Sequence, residues 1–300
     1  MQLGMVGLGR MGANMTTRLI EKGHEVVAFD VSDDAVARAQ EGGATGVHSL
    51  DDLVRALAPP RVVWTMVPAG EITEQTISDL GTKLESDDVV IDGGNSRYVD
   101  SIRRGETLAE KGISFLDAGT SGGIWGLKEG YCLMVGGDAD VVAHAQPIFE
   151  ALAPENGFAH VGPIGAGHFT KMVHNGVEYA LMQAYGEGFE ILESSEFDLD
   201  VGQIAEVWRH GSVVRSWLLD LAARALTNDP GLEDVAPYVD DSGEGRWTLT
   251  YGIDNAIPIP TIATALFARF ASRQDASFAA KVIAALRREF GGHAIHESER

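Results

Sequence analysis

Leu3-Gly4-Met5-Val6-Gly7-Leu8-Gly9-Arg10-Met11-Gly12 begins as a short apolar run and ends in spaced glycines. The run predicts a buried strand, and Met11 to Glu21 behind it predicts a helix. Gly7, Gly9 and Gly12 have the spacing of a dinucleotide fingerprint. In that motif the first glycine permits a tight turn and the second lets the backbone approach a pyrophosphate. The third lets helix and strand pack closely, and the phosphates rest on the helix N-terminus. A glycine-rich turn alone is common. Its place between a strand and a helix, with an acid closing the next strand, makes it specific. That acid is Asp30, 18 residues beyond Gly12 and directly after the run His24 to Phe29. A carboxylate there accepts from both hydroxyls of an adenosine ribose and repels a phosphate esterified to it. Val31-Ser32-Asp33-Asp34 supplies no arginine to offset that repulsion, so NAD is favoured over NADP.

Further apolar runs at Val62 to Val67, Val89 to Ile91, Ile113 to Leu116 and Tyr131 to Val135 alternate with amphipathic stretches. Examples of the latter are Asp33 to Gln40, Ile72 to Leu84 and Val99 to Glu110. Strands separated by helices need crossover connections, which give a largely parallel, doubly wound sheet. After about Gly162 strand-like alternation stops. Gly167 to Ser194, Val201 to Trp208, Trp217 to Leu226, Ile262 to Phe270 and Ala276 to Phe290 carry helical periodicity. Val235 to Asn255, punctuated by glycines, reads as an ordered loop. The expected organisation is an α/β dinucleotide-binding domain over 1–162 and an all-α domain over 163–300.

Lys and Arg total 23 against 44 Asp and Glu, a net charge of -21 over 300 residues. Such a surface repels nucleic acid and anionic membranes. Only 6 of the 23 basic residues are lysine, and this acidic balance suggests adaptation to high salt. No apolar run approaches the roughly 20 residues of a membrane span. The sequence opens on a strand-like segment without a basic n-region or cleavage site, so no secretory leader is expected. One cysteine cannot form an internal disulfide, which fits a reducing cytoplasm. Cys132, inside Tyr131-Cys132-Leu133-Met134-Val135, reads as a small core residue. His293 and His296 have no third ligand nearby, so no metal is expected.

Two glycine-bearing loops follow later strands: Ile91-Asp92-Gly93-Gly94-Asn95-Ser96 and Gly119-Thr120-Ser121-Gly122-Gly123. In a doubly wound sheet they lie at the carboxyl edge, where ligands bind. Their N–H groups suit an anionic or polyhydroxylated substrate. A third segment runs from Gly165 through Lys171-Met172-Val173-His174-Asn175-Gly176-Val177-Glu178-Tyr179. On a helix Lys171, His174, Asn175 and Glu178 fall at i, i+3, i+4 and i+7, which is one face. A cation, an imidazole, an amide and a carboxylate are costly to bury together unless they meet a ligand or pair internally. Met172, Val173, Val177 and Ala180 leave no clean apolar side opposite, which favours a ligand-facing stripe over a solvated Lys–Glu pair.

With these strings in place, the chain closely resembles the 6-phosphogluconate dehydrogenases, within the wider β-hydroxyacid dehydrogenase superfamily. Matching elements cover nearly the whole chain: Gly7 to Gly12, Asp92-Gly-Gly-Asn-Ser96, Ser121-Gly-Gly123 and Lys171 to Tyr179. Related elements stand at Gly243-Glu-Gly-Arg-Trp247, Phe267-Ala-Arg269 and Arg287-Arg-Glu-Phe-Gly-Gly-His293. The length is similar to the short form of the family. The resemblance implies a Rossmann-type α/β domain followed by an all-α domain for substrate binding and oligomerisation. It implies NAD-dependent oxidative decarboxylation of 6-phosphogluconate to ribulose 5-phosphate and CO2, in the pentose phosphate pathway and gluconate utilisation.

Residue by residue, the resemblance implies that Lys171 accepts the proton of the substrate's 3-hydroxyl and then polarises the new carbonyl. Glu178 is implied to protonate the enediol. Asn95, Ser121, Gly122, Gly123, His174 and Asn175 would hold the carboxylate and hydroxyls. Tyr179, Arg269, Arg287 and His293 would hold the phosphate. Gly7, Gly9, Arg10, Met11, Gly12, Asp30, Val67 and Asn95 would hold the cofactor. A homodimer or homotetramer is implied, with the C-terminal tail exchanged between subunits. Two positions depart from the family: Ser242 stands where long-form enzymes have a phosphate-binding lysine, and Glu244 replaces a threonine. They leave a non-phosphorylated sugar acid open as substrate. A hydroxyisobutyrate-type dehydrogenase shares the glycines and the lysine but lacks the combination of His174 and Glu178. A non-catalytic NAD-binding module has no use for Lys171 and Glu178.

The thermal midpoint is expected to rise from dilute buffer to molar KCl, as screening removes self-repulsion. Equal midpoints would refute salt adaptation.

Overall fold

The computed structural model describes residues 1–292, 294 and 296. The chain divides into two compact units, with the break after Asn175. The first contains β1 (Gln2–Val6), α1 (Arg10–Glu21), β2 (Glu25–Phe29), α2 (Asp33–Glu41), β3 (Thr45–Val47) and α3 (Leu50–Ala56). There follow β4 (Val62–Thr65), α4 (Glu71–Leu80), β5 (Val89–Asp92), α5 (Tyr98–Ala109) and β6 (Ser114–Ser121). A short 3-10 turn at Gly123–Trp125 leads to α6 (Gly126–Glu129), β7 (Cys132–Gly136), α7 (Ala139–Leu152) and β8 (Phe158–Gly162). The helix α8 (Ala166–Glu193) starts in the first unit and runs on into the second.

The strands form one sheet in the order β3-β2-β1-β4-β5-β6-β7-β8. All neighbours are parallel except β6 and β7, which are antiparallel. This is the expected doubly wound α/β architecture. Every residue of β4 and β5 is buried, which is why both read as unbroken apolar runs. Trp64, Leu3, Met5 and Ile91 pack on one face of the sheet, and Val63, Val90, Leu53 and Phe115 on the other. Two edge strands escape the sequence reading. Thr45–Val47 has three residues, and Ala159, His160 and Val161 of β8 are exposed, so neither leaves an apolar run. Cys132 corrects another expectation: it opens β7 as an exposed residue, and the buried stretch starts at Leu133.

The second unit is helical, as the periodicity predicts. After α8 come α9 (Val201–Arg209), α10 (Trp217–Asn228), α11 (Glu244–Asp254), α12 (Pro260–Ala271) and α13 (Phe278–Gly291). Asp200, Ser216 and Ser277 cap α9, α10 and α13 by accepting from Gln203, Leu219 and Ala280 N–H groups. Val201, Ala205, Leu219, Ala223 and Leu226 form one small core, and Tyr179, Ala265 and Leu266 another. The loop expected over 235–255 contains α11 instead. Its glycines serve close packing: a Cβ on Gly245 would stand 2.7 Å from the Tyr179 ring, and one on Gly252 2.7 Å from Ile259. Among the described residues, no helix is long and apolar enough to cross a membrane and no group of three or more ligating side chains could hold a metal ion.

An ion network braces α4 and α5 against β5. Glu74 accepts from Arg103 Nη1 (2.6 Å) and Nη2 (2.7 Å) and from Arg104 Nε (2.9 Å), while Arg104 Nη1 reaches buried Asp92 at 3.2 Å. Hydrogen bonding from Arg103 is the largest influence holding the Glu74 carboxyl down at about 2, against an ordinary 4.5. A depressed carboxyl contributes stability above its unfolded value and loses it as pH falls toward the folded one. Wild type should therefore lose urea resistance faster than Glu74→Gln as pH drops from 4.5 toward 2. Parallel losses would rule out that contribution.

Candidate active site

At the fingerprint turn, Gly7 adopts φ +95°, and a Cβ there would lie 2.3 Å from the Met66 carbonyl oxygen. A Cβ on Gly12 would lie 1.9 Å from the Gly7 carbonyl oxygen, so both positions exclude a side chain. Gly9 differs, because a Cβ there would meet nothing within 4 Å. The first and third glycines thus serve the fold, while the second faces open space, as a pyrophosphate cradle requires. Gly9 caps α1 without a side-chain hydrogen bond, leaving first-turn N–H groups for an anion. Asp30 follows β2, where its two oxygens accept from Leu8 N at 2.6 Å and Ser32 N at 2.9 Å. The residues present therefore fit an adenine dinucleotide.

The carboxyl ends of β1, β4, β5 and β6 are consecutive along the sheet, which places Gly7, Val67, Asn95 and Ser121 on one edge. Val67 bridges two loops: its Cγ1 lies 2.9 Å from where a Gly7 Cβ would stand, and its carbonyl 3.2 Å from where a Gly94 Cβ would stand. Asp92 shapes the Asn95 loop by accepting from Gly94 N (3.1 Å), Ser96 Oγ (2.7 Å) and Arg104 Nη1 (3.2 Å). The loop after Ser121 turns through Gly122 (φ +132°) and Gly123 (φ +52°). Beyond it, the Ile124 carbonyl accepts from Asn14 Nδ2 at 3.4 Å, bringing this loop to the start of α1.

The start of α8 is bound to the end of β6. Fully buried Asp117 accepts from Gly165 N and His168 N, each at 2.7 Å. A carboxylate there also complements the helix dipole. The approach is close enough that a Cβ on Gly119 would stand 2.6 Å from both the Gly167 carbonyl oxygen and Lys171 Cβ. Lys171 is thereby set beside the carboxyl end of β6, half-buried, one turn after buried His168. His168 Nδ1 lies 2.7 Å from Ser101 Oγ of α5. His174 Nδ1 lies 3.0 Å from Oδ1 of buried Asn175.

In the second unit, α8 continues through Glu178, half-buried, and Tyr179, buried. The Arg269 guanidinium stacks 3.7 Å above the Tyr179 ring, and Tyr179 Oη accepts from Ser242 N at 3.2 Å. Ser242 Oγ donates to the buried Glu244 carboxylate at 2.7 Å, so the two departing residues contact each other. Arg246 pairs with Asp241 through Nε (2.7 Å) and Nη2 (2.9 Å), and Arg273 joins the same carboxylate at 2.8 Å. Hydrogen bonding from Arg246 is the largest influence holding the Asp241 carboxyl down to about 2. Arg287 lies exposed on α13 without a hydrogen bond to any described residue, and His293 lies outside the described residues.

Sequence reasoning missed the residues that hold these groups. Asp117, Ser101, His168 and Arg104 belong to no motif, and their only sequence signal is a polar residue inside an apolar or amphipathic run. It also missed Arg38, which lines the cleft over the fingerprint turn with Arg10.

Residues 2–162 match the NAD binding domain of 6-phosphogluconate dehydrogenase, and residues 167–285 match its C-terminal domain. The NAD(+)-dependent, decarboxylating 6-phosphogluconate dehydrogenase of Haloferax volcanii is 46% identical over 297 residues, covering 98% of each chain. An NADP(+)-dependent, decarboxylating 6-phosphogluconate dehydrogenase of Bacillus subtilis is 35% identical over 90% of this chain, which spans 61% of that protein. Among solved structures, Plasmodium falciparum 6-phosphogluconate dehydrogenase superposes with a TM-score of 0.83 at 27% identity, covering 100% of this chain and 67% of that one. Mycobacterium tuberculosis 3-hydroxyisobutyrate dehydrogenase gives a TM-score of 0.72 at 26% identity, covering 95% and 99%.

Gly119→Ala is expected to push the first turn of α8 off β6, at a cost of about 1–3 kcal/mol in urea unfolding, the usual range for overpacking. Unchanged stability would mean that the contact is not tight in solution.

Proposed function

The chain belongs to the 6-phosphogluconate dehydrogenase family, and on that premise we propose that it catalyses NAD-dependent oxidative decarboxylation of 6-phosphogluconate to ribulose 5-phosphate and CO2. The observation that carries this reading is the start of α8, where Lys171 is set beside the carboxyl end of β6 with His174 and Asn175 in the next turn. Bound NAD supplies the hydride acceptor. Neutral Lys171 accepts the proton of the substrate's 3-hydroxyl as the hydride leaves carbon 3. Protonated Lys171 then polarises the new carbonyl while the bond to the carboxylate breaks and CO2 departs. Glu178, in its acid form, protonates the carbon that carried the carboxylate. Asn95, Ser121, Gly122, Gly123, His174 and Asn175 orient the carboxylate and hydroxyls. Tyr179, Arg269, Arg287 and His293 take the phosphate end.

Asp30 supports NAD over NADP, because a carboxylate following β2 accepts from ribose hydroxyls and repels a phosphate esterified to them. The reading includes a homo-oligomer. It is supported by α13, which has no buried residue and exposes Phe278, Ile283, Leu286 and Phe290, an apolar surface suited to a partner subunit. A cytoplasmic setting is supported by the lone unpaired Cys132.

A second reading, a non-phosphorylated sugar acid, has one observation in its favour. Glu244 puts a buried carboxylate beside Tyr179 and Ser242, and Arg246 is committed to Asp241. Steady-state assays of 6-phosphogluconate against gluconate separate the two readings, and faster turnover of gluconate would overturn the first.

Glu178→Gln should lower kcat on 6-phosphogluconate by about a hundredfold or more, the usual scale for loss of a general acid. Near-normal turnover would remove Glu178 from the chemistry. Asp30→Asn keeps an acceptor for Leu8 N, yet it should raise the NADP-to-NAD ratio of kcat/KM by about tenfold. An unmoved ratio would reject the role of Asp30.

A further inference from the structure

The cleft over the fingerprint turn has a volume of about 440 Å3, and its lining includes Gly9, Asn14, Ile124 and the arginines Arg10 and Arg38. Neither arginine has a carboxylate partner among the described residues, although acidic residues outnumber basic ones 44 to 23. For Arg38 the absence is pointed. Asp34 stands four residues earlier on α2, in the acid-first order that favours an ion pair along a helix, and no such pair forms. For Arg10 the position itself is unfavourable. It is the first residue of α1, where the helix dipole opposes a cation and favours an anion. Nor does Asp30 neutralise either one, since its oxygens are engaged by the N–H groups of Leu8 and Ser32. Two uncompensated guanidinium groups thus line one cleft at the place where the glycine turn presents its N–H groups.

We propose that Arg38, together with Arg10, clamps a phosphate of the adenosine half of the dinucleotide, and that Arg38 is a residue through which the enzyme senses cofactor charge. This rests on the reading that the cleft takes an adenine dinucleotide. A guanidinium binds phosphate oxygens by charge-assisted, often bidentate hydrogen bonds. In a chain of net charge -21, a local pair of cations also offsets the repulsion an anionic cofactor meets on approach. The phosphate has two possible sources, the bridging pyrophosphate and a phosphate on the adenosine ribose.

Isothermal titration of the full chain with ADP and with adenosine 2′,5′-bisphosphate, for wild type and Arg38→Ala, distinguishes them. Arg38 is exposed on a helix where alanine is the stronger helix former, so the variant keeps its fold. A rise in Kd of about tenfold for ADP alone assigns the clamp to the pyrophosphate, and the same rise for the 2′,5′-bisphosphate alone assigns it to the ribose phosphate. A rise for both assigns it to the 5′-phosphate that the two ligands share, which is the adenosine side of the pyrophosphate. In each case the difference between wild type and variant should shrink in molar KCl, where the screening length is about 3 Å. Values within twofold of wild type for both ligands would overturn the clamp. So would a loss undiminished by salt, which marks stacking on the adenine ring. If wild type binds neither ligand nor NAD, the cofactor reading beneath the proposal fails instead.

Discussion

A carboxylate buried without water must be met by donors, and Asp117 is met by the start of a helix. Its oxygens take the N–H groups of Gly165 and His168 at the beginning of α8. Three glycines make the approach possible. Gly119, Gly136 and Gly167 are each so close to the opposing backbone that a methyl group at any of them would collide with it. The consequence reaches the chemistry, because Lys171 follows His168 by one turn and inherits its position from this joint. A hydrogen bond to a charged group stabilises by about 1.5–3 kcal/mol, and leaving the carboxylate buried without it would cost more. The backbone of the proposed proton acceptor is thus held by contacts to the sheet.

Asp92 repeats the arrangement one strand away. It is as deeply buried as Asp117 and fixes the loop that carries Asn95. Its cation, Arg104, is shared with Glu74, whose carboxyl is in turn gripped by Arg103. An acidic chain with few cations uses them at particular places. Arginine braces α4 and α5, ties Asp241 to α11 and to the turn after α12, stacks on Tyr179, and lines the cofactor cleft. The planar guanidinium suits each of these, since it can pair with a carboxylate through two hydrogen bonds or lie on an aromatic ring. This gives a local structural use for the predominance of arginine over lysine, independent of any adaptation of the surface to salt.

In the second unit, Ser242 and Glu244, the two positions the resemblance marks as departures, meet at Tyr179. Glu244 is buried and bonded, so it is built into the start of α11 rather than left as an unsupported negative charge. Arg246, the nearby cation on α11, is directed to Asp241.

The sequence by itself determined the fold class and singled out candidate ligand-facing residues. The glycine turn, Asp30 and the polar stripe from Lys171 are local signals, in which a few adjacent residues must have particular shapes or charges for the backbone or a ligand to fit. Burial on both faces made β4 and β5 legible as apolar runs, whereas the edge strands Thr45–Val47 and Phe158–Gly162, lacking that burial, left no such mark. Gly245 and Gly252 read as loop residues because glycine has the same sequence signature whether it breaks a helix or lets a neighbour approach. Only the tertiary structure decided between those meanings. It alone showed that Asp117 and Asp92 hold the site, that Cys132 is exposed, and that Arg38 reaches the cleft. These are contacts between residues far apart in the chain, and a single sequence carries no term for the partner that a buried charge or a missing Cβ will meet.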